Sequence, residues 1–311
     1  MIIAYPDYYN DFCCIASRCR HSCCIGWEID IDPCTAALYR AQKGELGERM
    51  AKNIDWSGDE PHFILGEGER CPFLNENNLC DIILSLGEEA ISEICTDHPR
   101  FRNYLSEREE IGLGLCCEEA GRIIIGREKP LEIIEEGEGE YTADEDFLMD
   151  LRDDIFDIMN EHSQPFSSRV LAVQDKIEGR IEKDNIAYWS HFMMDLERLD
   201  EKWTQCLINL VKRPYPLDEI EKYMDEHGVW FANLFNYFIF RHLFSALDDG
   251  DIDSKILFAL LSCRIIAALC MADESADLET VVEYARMYSS EIEYSDENLG
   301  LMFERINKQS L

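Results

Sequence analysis

Eleven of the chain's fourteen cysteines lie between Cys13 and Cys117, and the other three are Cys206, Cys263 and Cys270. The clustering constrains the front third of the chain more than any other feature. Met1-Ile2-Ile3-Ala4-Tyr5-Pro6-Asp7 carries neither a basic segment nor a long apolar stretch, so no secretory signal is expected and the reading is cytoplasmic. In that setting dense cysteines argue for metal binding rather than disulfides.

The thiols come in separated groups. Cys13, Cys14, Cys19, Cys23 and Cys24 surround His21; Cys71 opens Cys-Pro-Phe-Leu; Cys80 follows; Cys95 precedes His98-Pro99-Arg100; Cys116-Cys117 precede Glu118-Glu119. Zinc takes four ligands in two short paired spacings, whereas these come from four places, and adjacent cysteines are expected to point apart. A cubane accepts thiolates from several directions. A four-iron four-sulfur cluster is therefore favoured, with zinc as the alternative metal, and eight ligands leave room for a second centre. Cys19 and Cys23 have the first spacing of a radical-enzyme Cys-x3-Cys-x2-Cys motif, but residue 26 is Gly. Gly112-Leu-Gly114 lacks the third glycine of a dinucleotide loop, so no Rossmann domain is expected.

The expected fold is mainly α: a cysteine-rich metal-binding domain with little or no sheet over residues 1–134, an acidic linker at 135–142, and a helical bundle over 143–311. Residues 1–30 read as coil. Asp32-Pro33 starts a helix carrying Leu38, Tyr39, Leu46 and Met50. Residues 61–84 look extended, with a small sheet plausible there, and 86–95 reads as a short helix. Residues 135–161 hold twelve acids against one arginine, Arg152. From Ala143 the apolar positions follow helical spacing, and the acids form a solvated face. Helices are expected from 163 to 181, from 188 to 210 until Pro214, from 229 to 247, and over 253–271, 277–292 and 295–308. Cys206, Cys263 and Cys270 sit on apolar faces and read as core residues. No apolar run reaches the roughly 18 residues of a membrane span.

Lys plus Arg number 29 and Asp plus Glu 64, a formal net charge of −35. That opposes electrostatic binding to nucleic acid or an anionic membrane and would attract a basic partner.

Several motifs resemble the flagellin lysine N-methylase (FliB) family, within the cysteine-rich iron–sulfur or zinc-binding (YkgJ-like) proteins. They are Pro6-Asp7-Tyr8-Tyr9 with Phe12, Cys14, Cys19, Cys23-Cys24, Gly26-Trp27, Ile29 and Ile31; Cys71-Pro-Phe-Leu74 with Leu79-Cys80 and Ile82; Cys95 with Pro99-Arg100; and Cys117 with Ala120 and Arg122. Asn236-Tyr237, Arg241 and Phe244 are similar to that family's helical domain. The family's Ser-Cys-Pro-Glu run reads Cys116-Cys117-Glu118-Glu119 here.

The resemblance implies methyl transfer from S-adenosylmethionine to the ε-amino groups of lysines in flagellin or a similar protein. It also implies a cluster held by Cys14, Cys19, Cys23, Cys24, Cys71, Cys80, Cys95 and Cys117, with Cys13, Cys34 and Cys116 outside the motif. Asp30, Asp32, Asp97, His98, Glu118 and Glu119 are acids and bases near the cysteines, and spacing singles out none of them. Trp27 reads as an adenine platform or a core residue, and Arg100 and Arg122 as carboxylate clamps or ordinary ion pairs. The competing readings are a non-catalytic iron–sulfur module with a redox-sensing or structural role, and a zinc-stapled interaction protein.

Overall fold

Ile2, Ala4 and Pro6 turn inward and Ile3 and Tyr5 outward along the first strand, β1 (Ile2–Pro6). In this computed structural model, residues 1–58, 60–181, 185–273 and 276–309 are described. The chain divides into two compact units: Cys13–Arg100, and Met1–Phe12 joined with Phe101–Leu311.

The unit Cys13–Arg100 is built from short pieces. Its elements are α1 (Pro33–Ala41), α2 (Gly44–Asn53), β2 (Ile54–Asp55), β3 (His62–Phe63), α3 (Asp81–Leu86) and α4 (Glu93–Asp97). Asp32 caps α1 by accepting from the Thr35 amide at 2.9 Å, with Pro33 at the first helical position. The single helix expected from 33 through Met50 breaks at Gln42, and Gly44 turns the chain with φ 72°. The helix expected over 86–95 is α3, a 3₁₀ turn at Glu88–Ala90, and α4. A small core of Ile29, Ile31, Tyr39, Met50, Ile54, Phe63, Phe73 and Ile82 holds these pieces together.

The second unit continues with β4 (Arg100–Tyr104), β5 (Arg108–Leu113), α5 (Glu118–Ile125), β6 (Ile133–Gly137) and α6 (Ala143–Asn160). Then come α7 (Phe166–Gln174), α8 (Ile186–Met193), α9 (Glu201–Lys212), α10 (Leu217–Glu226) and α11 (Gly228–His242). The chain ends with α12 (Ala246–Asp249), α13 (Ile252–Ala272), α14 (Leu278–Tyr288) and α15 (Asp296–Asn307).

The expectation of little or no sheet is corrected by a four-stranded sheet in the order β4-β5-β1-β6. β1 runs parallel to β5 (Ile2 opposite Arg108) and antiparallel to β6 (Ile2 opposite Gly137). The physical reason for the miss is β5, whose inward positions include Arg108 and Glu110. Both are fully buried, so the usual apolar alternation is replaced by charge. Arg108 Nε meets Glu110 at 2.7 Å, and Arg152 from α6 donates to both Glu110 oxygens at 2.8 Å. The lone Arg152 of the acidic stretch is thus a buried partner and not part of a solvated face. The stretch expected as a linker, 135–142, starts inside β6, an edge strand whose Glu135 also pairs with Arg108.

The bundle follows the apolar pattern with shifted ends. α7 stops at Gln174, and Ile177 and Ile181 are buried in the segment after it. The helix expected over 188–210 is α8 and α9, restarted where Asp200 accepts from the Lys202 amide at 2.8 Å. α13 is long and apolar enough by composition to cross a membrane, and 89% of its most apolar window is buried inside the protein. It packs on α9, α10, α11, α14 and α15. Cys263 and Cys270 are buried on it, as expected of core thiols, and Cys206 is half-buried.

Thr142 and Glu145 form a capping box at the start of α6. Glu145 also accepts from the Ser106 amide at 2.6 Å and from its hydroxyl at 2.7 Å. Burial works against its ionisation, but the Ser106 and Thr142 hydrogen bonds prevail and hold its pKa at about 2, against an ordinary 4.5. The stability this supplies is complete above the ordinary value and is lost as pH falls through about 2. Glu145→Gln is expected to lower stability at neutral pH and to flatten its acid dependence over that window. Denaturant unfolding at stepped pH checks this, and an unchanged slope contradicts it.

Candidate metal centre and a buried ionic cluster

Four cysteines from separate segments converge inside Cys13–Arg100. The Cys71 amide donates to the Cys24 carbonyl at 2.9 Å, beside an antiparallel bridge between Ile25 and Arg70. These contacts hold residue 24 against residue 71. A second bridge joins Leu74 to Cys80 around a turn in which Asn75 Oδ1 accepts from the Asn77 and Leu79 amides at 2.9 and 3.1 Å. Arg70 locks that turn from outside, donating to the Asn75 carbonyl at 2.7 Å. Cys80 caps α3, and Cys95 lies in α4.

Cys71 sits in the small core and Cys24, Cys80 and Cys95 pack against it. Burial pushes the Cys71 thiol up to about 12, helped by Cys24, Cys95 and Cys80. It pushes Cys95 up to about 11, with Cys24 and Cys80 adding to the effect. Cys80 is raised for the same reasons, desolvation first and Cys24 among the charges. Cys24 moves the other way, to about 7, chiefly because Cys23 hydrogen bonds to it. The neighbouring thiols of residues 23 and 24 therefore meet instead of pointing apart.

This donor set fits a soft metal group. Four thiolates are the donor set of either a tetrahedral zinc site or a four-iron cluster. The Tyr39 hydroxyl is buried without a hydrogen-bond partner, within the electrostatic reach of Cys95, Cys80 and Cys71. A thiolate or cluster sulfur could accept a hydrogen bond from it.

The remaining expected ligands are placed differently. Cys14 is exposed, its sulfur accepting from the Ala16 amide at 3.4 Å, and the Cys19 thiol donates to the His21 carbonyl at 3.2 Å. Cys23 is exposed. Cys117 belongs to the other unit, where it precedes α5. Beside it, burial pushes Cys116 up to about 12. Several candidate acids and bases have structural tasks. Asp32 caps α1 and accepts from the Glu93 amide at 3.0 Å, and Arg122 ties Glu118, Glu119 and Glu279 together. Arg122 is thus an ordinary ion-pair residue. Trp27 donates to the Cys23 carbonyl at 2.6 Å and packs beside His98, which burial lowers to about 4.

In the second unit the structure assembles an ionic cluster that sequence reasoning did not isolate. A π-helical turn, Ser289–Glu293, follows α14 and delivers the Glu293 carboxylate inward. Its oxygens accept from the Tyr237 hydroxyl at 3.1 and 3.2 Å, and Oε1 lies 2.7 Å from His242 Nε2. Arg241 donates to the Tyr237 oxygen at 2.7 Å and approaches Glu293 at 3.4 Å. Burial opposes ionisation of Glu293, yet Arg241 and His242 keep its carboxyl below the usual range. Tyr237 and Arg241 already stood in the motif Asn236-Tyr237…Arg241, but nothing in the spacing pointed to Glu293, over fifty residues later.

Glu293→Gln strips the counter-charge from a buried guanidinium. The expected cost is about 3–5 kcal/mol of folding stability, read by urea denaturation; stability equal to the parent contradicts the assignment.

Comparison with known proteins adds the following. The family described as FliB lysine N-methylase C-terminal domain matches residues 92–311. That range takes in Cys95, Cys116 and Cys117 and leaves Cys14 to Cys80 outside it. Proteins named lysine-N-methylase from Salmonella choleraesuis and Salmonella typhimurium are each 30% identical over 126 residues. The match covers 38% of this chain and 31% of each of theirs, so it spans about a third of those relatives. The flagellar biosynthetic protein FliU of Salmonella muenchen is 29% identical over 126 residues, covering 38% of this chain and 73% of its own. No solved structure matches the chain.

Proposed function

The chain belongs to the FliB lysine N-methylase family, and on that premise we propose that it methylates lysine side chains of a flagellin-like protein. The match over residues 92–311 carries this reading. The methyl donor is S-adenosylmethionine. An unprotonated lysine nitrogen attacks the donor's methyl carbon as the carbon–sulfur bond breaks. The sulfur keeps the bonding pair and becomes a neutral thioether, while nitrogen takes the positive charge. Because an ammonium has no lone pair, the lysine proton must leave before attack.

The chain's cysteines hold an iron–sulfur cluster. Cys24, Cys71, Cys80 and Cys95 are its nearest ligand set, supported by their convergence, and the family motif adds Cys14, Cys19 and Cys23 of the same unit. When bound, such a cluster would supply Lewis acidity, provided one of the four thiolates leaves its iron open. The chain's own contribution is to hold one buried and three half-buried thiols at a small apolar core and to offer Tyr39 as a hydrogen-bond donor near them. The net charge of −35 favours a lysine-bearing protein surface and opposes nucleic acid and anionic membranes. The setting is the cytoplasm, where thiols stay reduced.

Anaerobically purified protein is expected to contain iron and to transfer labelled methyl groups to flagellin. Cys71→Ser is expected to lose iron and to cut transfer at least roughly 10–100-fold, the scale on which even outer-shell changes act. Cys34→Ser, an exposed cysteine outside the motif, is expected to keep both. Iron-free protein, or full transfer by Cys71→Ser, overturns the cluster. Iron binding without donor binding or transfer returns the chain to a structural or redox module.

A further inference from the structure

We propose that Glu28, Asp30 and His62 form a site for one divalent first-row cation, separate from the cysteines. Residues 29–31 run antiparallel to 61–63. The Ile31 amide donates to the Pro61 carbonyl at 2.7 Å, the Phe63 amide donates to the Ile29 carbonyl at 3.1 Å, and Asp30 bridges His62. On the other side β3 pairs with β2, setting Asp55 opposite His62.

Side chains alternate along such strands. Ile29, Ile31 and Phe63 face the core at 1–3% exposure, with Cys71 in the same cluster. Glu28, Asp30 and His62 therefore share the opposite, solvent-facing side. Their ligand atoms all lie within 4.8 Å of one another, and His62 Nε2 is 3.7 Å from Glu28. Asp55 lies across the strand pair, its Oδ1 accepting from the Ser57 amide at 2.8 Å and hydroxyl at 2.6 Å.

A His–Glu ion pair accounts for two of the three groups and leaves Asp30 unexplained. One imidazole nitrogen with two carboxylate oxygens suits Mn²⁺, Fe²⁺ or Zn²⁺, with further positions left to water.

Mn²⁺ separates this site from the thiols, because it prefers oxygen and nitrogen donors to thiolate. Titrating Mn²⁺ into the full anaerobic chain and reading free Mn²⁺ by electron paramagnetic resonance is expected to show one site per chain. His62→Ala and Glu28→Gln are expected to weaken it at least tenfold with iron content unchanged. Glu45→Gln, an exposed acid on α2, is expected to leave it intact. Identical titrations for parent, His62→Ala and Glu28→Gln overturn the site, as does weak uptake that salt abolishes. Glu28 is exposed, so its variant decides the matter if His62→Ala fails to fold.

Discussion

Four thiols from four stretches of chain, one buried and three half-buried, lie in or against one small core, and the unit Cys13–Arg100 depends on what holds them there. Its strands of two residues and helices of five to ten are too short to stand without tertiary contacts. Its apolar core is small, and units of this size commonly need a staple. The backbone tie between Cys24 and Cys71, the Asn75 turn before Cys80 and the cap of α1 all serve to bring sulfur together. Burying thiols raises the cost of ionising them, and under the proposed function a bound metal group would offset that cost and couple its loading to folding.

The second unit solves a different problem. Its apolar core is large, with α13 buried almost throughout, so stability does not rest on a staple. Specificity comes from charges buried in matched sets. Arg108, Glu110 and Arg152 tie the sheet to α6, and Glu293, Arg241 and His242 tie the π-helical turn to α11. Removing one member of such a set leaves its partner charged in a poor solvent, so each set fixes a register that apolar packing alone would leave loose.

These two chemistries explain what the sequence made legible. Helices with one apolar face and a cap could be read directly. Asp32-Pro33 marked α1, and the spacing from Ala143 marked α6 at its first residue. The cysteine groups led to the expectation of a metal centre, and the fold packs Cys71, Cys24, Cys80 and Cys95 in or against one small core. The sheet was hidden because β5 buries Arg108 and Glu110 where a strand's pattern leads one to look for apolar side chains, and because β6 is an acidic edge that resembles a linker. Glu293 was hidden because its partners lie over fifty residues away and no local spacing encodes a long-range ion pair. The triad Glu28, Asp30 and His62 required the bridge between residues 30 and 62, which is likewise a property of the fold.

Mapping which cysteines react with a thiol-alkylating reagent, before and after the metal is removed, tests the central claim most directly. The account predicts that Cys24, Cys71, Cys80 and Cys95 are protected together in anaerobically isolated protein and become reactive together once metal is stripped, while exposed Cys13 and Cys34 react throughout. Reaction of those four at separate rates that ignore metal removal would contradict it.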